Sequence, residues 1–228
     1  MSAERDQIKR QAGSALRKAG RAHLTDLDLR PVSSSPRQWV GDRGWWLINV
    51  EFQASSWSVG SYLNVGVQYL WSVKDHRTFG HGNPRFPIPG SGQFAELEGD
   101  EDQVRAKADS VGSGARDAVL GLIARWPDDN VHLRLLSSDA TSGLWQSVDA
   151  AVAAALLQQN DQARELFRDL PARLDLSIAW QAELATDCAH LGGLAADPAA
   201  FKLEIQNRIE ETRRRLKLPS RDAPFVDL

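Results

Sequence analysis

The sequence predicts an α+β protein in which a mainly antiparallel meander sheet has helices on one face and is followed by a helical C-terminal region. Apolar and polar residues alternate through 45–73, which is the two-residue period of strands with one buried face. The connection at 55–60 is too short for a helical crossover, so these strands are antiparallel neighbours. After residue 140 the apolar residues instead recur at helical spacing.

The chain begins with a predicted helix at 3–19, because Ile8, Ala12 and Leu16 share one face and Gly20 follows as a stop. The first 43 residues hold nine Lys or Arg and five acids. This basic excess predicts either a solvated helix face or a basic docking surface.

Three strands are predicted next, at about 37–40, 44–54 and 60–73, after a polar extended stretch from residue 24. The segment 74–93 holds four glycines and three prolines and is predicted to be an irregular loop. A long loop inside a compact domain is often a lid or a binding loop.

A short strand at 93–97 leads into a predicted helix at 101–125, whose acidic start suits the helix dipole and which Pro127 ends. The alternation of apolar and polar residues in 130–137 predicts a further strand. Four more helices are predicted, one beginning after an N-cap at Ser142 and three at about 161–170, 175–192 and 197–216.

These elements divide the chain into a sheet domain at 1–139, a helical region at 140–218 packed on or beside it, and a tail at 219–228.

Eight tryptophans are the unusual feature of the composition. Most of them are predicted to fill the core and the edges of the sheet. The alternative is that one or two line a pocket or an interface, where tryptophan is enriched. Five precede residue 75, namely Trp39, Trp45, Trp46, Trp57 and Trp71.

The composition also bounds the cellular setting. A formal net charge of −3 offers no electrostatic case for nucleic acid or a membrane as the main partner. The single cysteine, Cys188, excludes an internal disulfide and a cysteine-based zinc site, and it fits a reducing compartment. The charged N-terminus lacks a signal-peptide core, and no window is apolar enough to span a membrane. We therefore expect a cytoplasmic protein.

Motifs that carry catalysis are absent from the sequence, including phosphate-binding loops, dinucleotide fingerprints, nucleophile elbows and HExxH. The sequence thus predicts no catalytic residue, no cofactor and no metal, and it favours a protein that is not an enzyme. His76 and His81 lack the nearby acid or thiol that a metal site needs. Cys188 and His190 point to different sides of one predicted helix, so Cys188 is expected to be a buried structural thiol.

Two groups of residues are candidates for binding. The first joins the predicted loop to the polar sheet face and comprises His76, Arg77, His81, Arg85, Glu51 and Gln68. The second is the run Arg213, Arg214 and Arg215 near the last helix end. One interpretation is that these cations only stabilise the C-terminal end of the helix dipole. The alternative is that they form a patch that binds an acidic protein or nucleic acid.

The order of a helix, a tryptophan-rich meander ending in Tyr62–Leu63–Asn64–Val65–Gly66–Val67, a Gly/Pro loop and further helices resembles bacterial domain-of-unknown-function families. The resemblance covers about residues 1–140. Some such families belong to toxin–immunity or phage-defence loci. The resemblance implies a binding role and transfers no catalytic residue.

Three hypotheses follow. The first is a cytoplasmic, non-enzymatic protein-interaction module, for which the resemblance implies a bacterial immunity or defence system as the setting. The second is an enzyme or small-ligand-binding protein with its site between the polar sheet face and the 74–93 loop. The third is a nucleic-acid-associated protein that uses Arg213–Arg215, which the acids Glu204, Glu210 and Glu211 on the same helix disfavour. A protein partner is therefore expected, and the oligomeric state is left open.

Overall fold

The computed structural model describes residues 2–33, 35–139 and 143–221 and confirms the α+β class, with an antiparallel sheet followed by helices. The chain forms two compact units. Residues 1–68 and 77–124 make up the first, here called the sheet unit. Residues 69–76 and the chain from 125 onwards make up the second, here called the helical unit.

The sheet unit contains six strands in the order β1-β2-β3-β4-β5, with β6 also paired to β4. Its two helices come first and last. The elements are α1 (Ser2–Leu24), β1 (Leu29–Val32), β2 (Ser35–Asp42), β3 (Trp46–Ala54), β4 (Gly60–Tyr69), β5 (His81–Phe86), β6 (Phe94–Glu96) and α2 (Glu101–Arg125).

Glycines let α1 pack closely on β2 and on α2. A methyl group added to Gly20 would lie 2.6 Å from the indole of Trp39, so this helix position rests directly on the ring. A methyl group added to Gly112 of α2 would lie 3.2 Å from Cβ of Ala19. The buried aromatic side chains Trp39, Trp45 and Phe52 fill the core, as large apolar residues do.

The helical unit contains five helices and the segment Tyr69–His76. Asp197 caps the last helix as its sequence predicts, because its carboxylate accepts hydrogen bonds from the backbone N–H groups of Ala199 and Ala200. The helices are α3 (Asp129–Ser138), α4 (Leu144–Leu156), α5 (Asn160–Asp169), α6 (Ala179–Leu194) and α7 (Pro198–Arg215). The predicted N-cap Ser142 lies outside the described residues.

The strand predicted at 130–137 is wrong, because these residues belong to α3. Asp128 caps this helix with a side-chain hydrogen bond from the backbone N–H of Val131. His132, Leu133 and Leu136 then form its buried face at helical spacing. Of the alternating apolar residues Val131, Leu133 and Leu135, only Leu133 lies on this buried face.

The loop predicted at 74–93 is wrong in its middle, where β5 forms. β5 lies at the edge of the main strand path, where the missing N–H of Pro84 is tolerated. Gly66 and Gly82 face each other across β4 and β5, and a methyl group on Gly82 would lie 2.3 Å from Cα of Gly66. The pairing therefore depends on glycine at this position.

Other boundaries differ by a few residues. α1 continues to Leu24, and β4 ends at Tyr69 rather than at residue 73. The stretch predicted only as extended contains β1, which pairs with β2. Within the described residues, no helix is both long enough and apolar enough to cross a membrane.

Candidate functional site

The chain segment that follows β4 is hydrogen-bonded to polar side chains of β3 and β4. The amide nitrogen of Asn49 donates to the backbone carbonyl of Thr78 at 2.8 Å. The backbone N–H of Thr78 in turn donates to Oε1 of Gln68 at 3.1 Å. Asn49 and Gln68 are both buried. This part of the predicted site is thus a hydrogen-bond network that fixes the chain onto the strands, in which only Oδ1 of Asn49 has no partner among the described residues.

Glu51 belongs to an adjoining network. Its carboxylate accepts hydrogen bonds from the side-chain amides of Gln38 and Asn64, each at 3.0 Å. The backbone N–H of Arg85 donates to Oδ1 of Asn64 at 3.0 Å. The Arg85 guanidinium lies 3.3 Å from the ring centroid of Tyr62, which is a cation–π contact. Glu51 and Arg85 are therefore brought together through Asn64.

The remaining loop candidates are His76, Arg77 and His81, and each lies in a different environment. His76 is exposed and its Nδ1 lies 2.8 Å from a carboxylate oxygen of Asp75. Burial lowers the pKa of the Arg77 guanidinium from its ordinary value. His81 lies in β5 opposite Val67.

Each arginine of the Arg213–Arg215 run has a partner within the helical unit. Arg213 is buried, and its guanidinium donates hydrogen bonds to the backbone carbonyl of Pro219. Arg214 and Arg215 both form ion pairs with Glu211. All three arginines are therefore engaged by groups of the helical unit.

A cleft of about 610 Å³ lies within the helical unit. The segment Trp71–Lys74 forms one wall, and residues of α4, α6 and α7 form the others. Its volume is in the range of clefts that hold a small molecule or a few side chains of a partner. It is the candidate functional site of the protein.

Two tryptophans, Trp145 of α4 and Trp180 of α6, lie side by side in the cleft. Their ring centroids are 6.0 Å apart and their planes differ by 22°, so the indoles are stacked. Trp145 is 38% exposed and Trp180 is 47% exposed. The ammonium of Lys74 lies 4.7 Å from the centroid of the Trp145 ring. The cleft thus already contains one cation held against an aromatic face.

Charged side chains of α6 and α7 form another side of the cleft, where four acids lie beside Arg208 and Arg215. Arg208 donates hydrogen bonds to both carboxylate oxygens of Asp187 and to Glu204, which ties α7 to α6. Burial opposes the charge of Arg208, but the hydrogen bonds to these carboxylates outweigh it and raise the pKa of the guanidinium. Glu183 also lines the cleft and forms no ion pair with any residue that the structure describes.

The wall formed by Trp71–Lys74 is anchored by buried polar contacts. The indole nitrogen of Trp71 donates to Oδ1 of Asp149 at 2.7 Å. The hydroxyl of Tyr69 lies 2.9 Å from Nε2 of His132, and the His132 ring stacks on Trp126. Burial, and next the charge of Asp149, raise the pKa of Tyr69 well above its ordinary value. These contacts keep the start of the segment fixed, and Lys74 follows it.

The sequence interpretation missed Trp145, Trp180 and Glu183. One signal that could have identified the α6 residues is a tryptophan at the start of a helix with acids three and seven positions later, Glu183 and Asp187, on the same face. The position of Trp145 beside Trp180 had no such signal, since the two residues lie on different helices.

Comparisons with known proteins give no relative: no family, no curated protein and no solved structure matches this chain. Among the described residues, no group of three or more His, Cys, Asp or Glu side chains is placed to hold a metal ion. The thiol of Cys188 is buried, as expected, and burial raises its pKa to about 11.

Proposed function

We propose that the protein is a non-enzymatic protein-binding module whose helical unit takes a basic segment of a partner protein into the tryptophan cleft. The observation that carries this proposal is the exposed, stacked pair Trp145 and Trp180. Large aromatic side chains are usually buried, and exposed ones that flank a cleft are typical of binding sites.

Apolar exposure next to the cleft supports a protein partner. Leu176 is 59% exposed and Ile178 is 40% exposed, and both precede Trp180 in the chain. Three large apolar side chains at alternate positions, at and just before the start of α6, are thus exposed to solvent. Exposed apolar groups that lie close together mark interaction surfaces more often than isolated ones do.

The charges of the cleft support a basic occupant. The protein places its own cations here, Lys74 against Trp145 and Arg208 against two carboxylates. Glu183 remains available for a further cation, one helical turn from Trp180. A partner Lys or Arg that lay on Trp180 could therefore meet Glu183 with its charged end and the indole with its alkyl stem.

A cytoplasmic location and a role in a bacterial immunity or defence system belong to the same proposal. The single cysteine supports a reducing compartment. The resemblance of the N-terminal part to families found at such loci supports the defence setting. The absence of catalytic motifs in the sequence supports a binding role rather than an enzymatic one.

Selection from a phage library of random short peptides against the full chain tests the proposal. We expect enriched peptides to carry Lys or Arg beside apolar residues. A synthetic peptide of that type should bind about tenfold or more weakly to the Trp180→Ala variant. The Glu183→Gln variant should bind it about two- to fivefold more weakly.

The matched control is Trp57→Ala, which removes a tryptophan that is 88% exposed in the sheet unit. This variant should bind the peptide as the wild type does. The proposal is overturned if no peptide family is enriched, if the enriched peptides are acidic, or if Trp145→Ala and Trp180→Ala both bind the peptide with unchanged affinity.

A further inference from the structure

Two arginines of the sheet unit converge on one glycine. A methyl group placed on Gly13 of α1 would lie 3.7 Å from Nη2 of Arg37 and 3.9 Å from Nη1 of Arg17. Both guanidiniums therefore come close to the same position of α1, which has no side chain of its own. Arg37 comes from β2, two residues before Trp39, which packs against Gly20 one heptad further along α1.

Neither arginine has an acidic partner among the residues that the structure describes. Nη1 of Arg37 is buried and donates no hydrogen bond to any described group. Burial, and next the positive charge of Arg17, lower the pKa of Arg37. Two like charges brought together with a buried, unsatisfied donor are unfavourable unless an anion joins them.

The surrounding helix surface has the same sign. From residue 7 to residue 24, α1 contains five Lys or Arg and no Asp or Glu. Arg10 lies seven positions before Arg17, so it falls on the same stripe of the helix. Three of these cations, Lys9, Arg10 and Arg17, lie three or four positions from Gly13 and therefore about one helical turn from it.

We propose that Arg17 and Arg37 form a binding site for a phosphate group beside Gly13. Planar guanidiniums suit this ligand, because each offers paired N–H donors to the oxygens of a phosphate. A tetrahedral phosphate has enough oxygens to accept from both arginines at once. The site goes beyond the proposed peptide binding, because it belongs to the sheet unit and needs no residue of the cleft.

Isothermal titration calorimetry on the full chain tests this site, with inorganic phosphate and AMP as probes and adenosine as the phosphate-free comparison. Ionic strength is held constant with sodium chloride. We expect one phosphate-dependent site that is weakened about tenfold or more in both Arg37→Gln and Arg17→Gln. Tighter binding of AMP than of phosphate would indicate a phosphate carried on a larger molecule, and equal binding would indicate free phosphate.

Lys18→Gln is the matched control, since it removes a positive charge from another side of α1, where Lys18 lines a groove with Glu101. It should change the affinity for phosphate less than twofold. Arg17 is exposed, so its variant is expected to fold even if the Arg37 variant does not. The proposal fails if the wild type binds neither phosphate nor AMP, or if the Arg17 variant binds as the wild type does.

Discussion

The indole nitrogen of Trp71 donates a 2.7 Å hydrogen bond to the carboxylate of Asp149, and both side chains are buried. This contact holds the wall of the cleft that carries Lys74 against helix α4. A charged acceptor makes such a bond stronger than one between neutral groups. The cleft therefore depends on a residue, Asp149, that is almost inaccessible to a ligand.

Replacing Asp149 should destabilise the protein. Asp149→Ala leaves the buried N–H of Trp71 without this acceptor, and we expect a loss of about 1–3 kcal/mol in the free energy of unfolding. Asp149→Asn keeps a carbonyl oxygen and should lose less. Urea denaturation followed by circular dichroism measures both. Asp169→Ala, which removes an exposed acid of α5, is the control and should change little. Equal stability of Asp149→Ala and the wild type would contradict the assigned role.

The ion pairs of Arg208 should be needed for the contact between α6 and α7. The Arg208 side chain is only 15% exposed and pairs with Asp187 and Glu204. Arg208→Ala leaves two acids without their cation, so we expect a loss of about 1–3 kcal/mol in the free energy of unfolding.

Arg208→Lys is the informative comparison for this pair. It keeps the charge but cannot bridge both oxygens of Asp187 as the planar guanidinium does, so its stability should lie between those of the alanine variant and the wild type. The same denaturation experiment measures it. A lysine variant less stable than the alanine variant would show that packing, rather than charge, dominates at this position.

Cys188 should react slowly in the folded protein. Burial raises the pKa of its thiol to about 11 from an ordinary 9.0, so at pH 8 its reactive thiolate is on the order of a hundredfold scarcer than that of a free thiol. Titration with a chromogenic disulfide reagent should show little reaction in buffer and one equivalent in guanidinium chloride. Full reaction of the folded protein at the rate of a free thiol would contradict this expectation.

The raised pKa of Cys188 also makes the stability of the protein depend on pH. A raised pKa in the folded state means that the unfolded chain loses its thiol proton first as the pH rises. The contribution of Cys188 to stability is therefore full below pH 9 and decreases once the unfolded thiol ionises above it. Cys188→Ala should remove this dependence, as stability measured between pH 8 and pH 10 would reveal.

Glycine substitutions should have opposite effects in the two helices of the sheet unit. Gly20→Ala forces a methyl group to within 2.6 Å of the Trp39 ring and should cost about 1–3 kcal/mol. Gly121→Ala adds a methyl group where nothing lies within 4 Å, and it should stabilise helix α2 by about 0.5–1 kcal/mol. Thermal denaturation of both variants checks the pair. A stabilised Gly20 variant would contradict the close packing of α1 on β2.

Sequence patterns identified the regular elements that are long or strongly marked. The helix at Glu101–Arg125 begins at its acidic residues and ends just before Trp126 and Pro127, as predicted. The apolar face that alternation predicts for β3 and β4 is buried, but the prediction of a single buried face is wrong, because Asn49, Asn64 and Gln68 on the polar face are buried as well. Local patterns succeed here because each depends on residues that are neighbours in the chain.

Short or paired elements were harder to predict. The alternation in 130–137 predicts a strand, but a helix forms there and begins at the capping hydrogen bond of Asp128. β5 carries a proline and glycines that argue against a strand, and only the approach of Gly66 to Gly82 explains why it pairs with β4. In both places a tertiary or capping contact outweighs local propensity.

The sequence by itself determined the α+β class, the buried face of the main strands, the long helix α2 and the burial of Cys188. Only the tertiary structure decided which groups lie together: Trp145 with Trp180 and Lys74, and the guanidiniums of Arg17 and Arg37 beside Gly13. The reason is physical. Periodicity reports which side of an element is buried, whereas a binding site needs side chains from distant parts of the chain at distances that only packing sets.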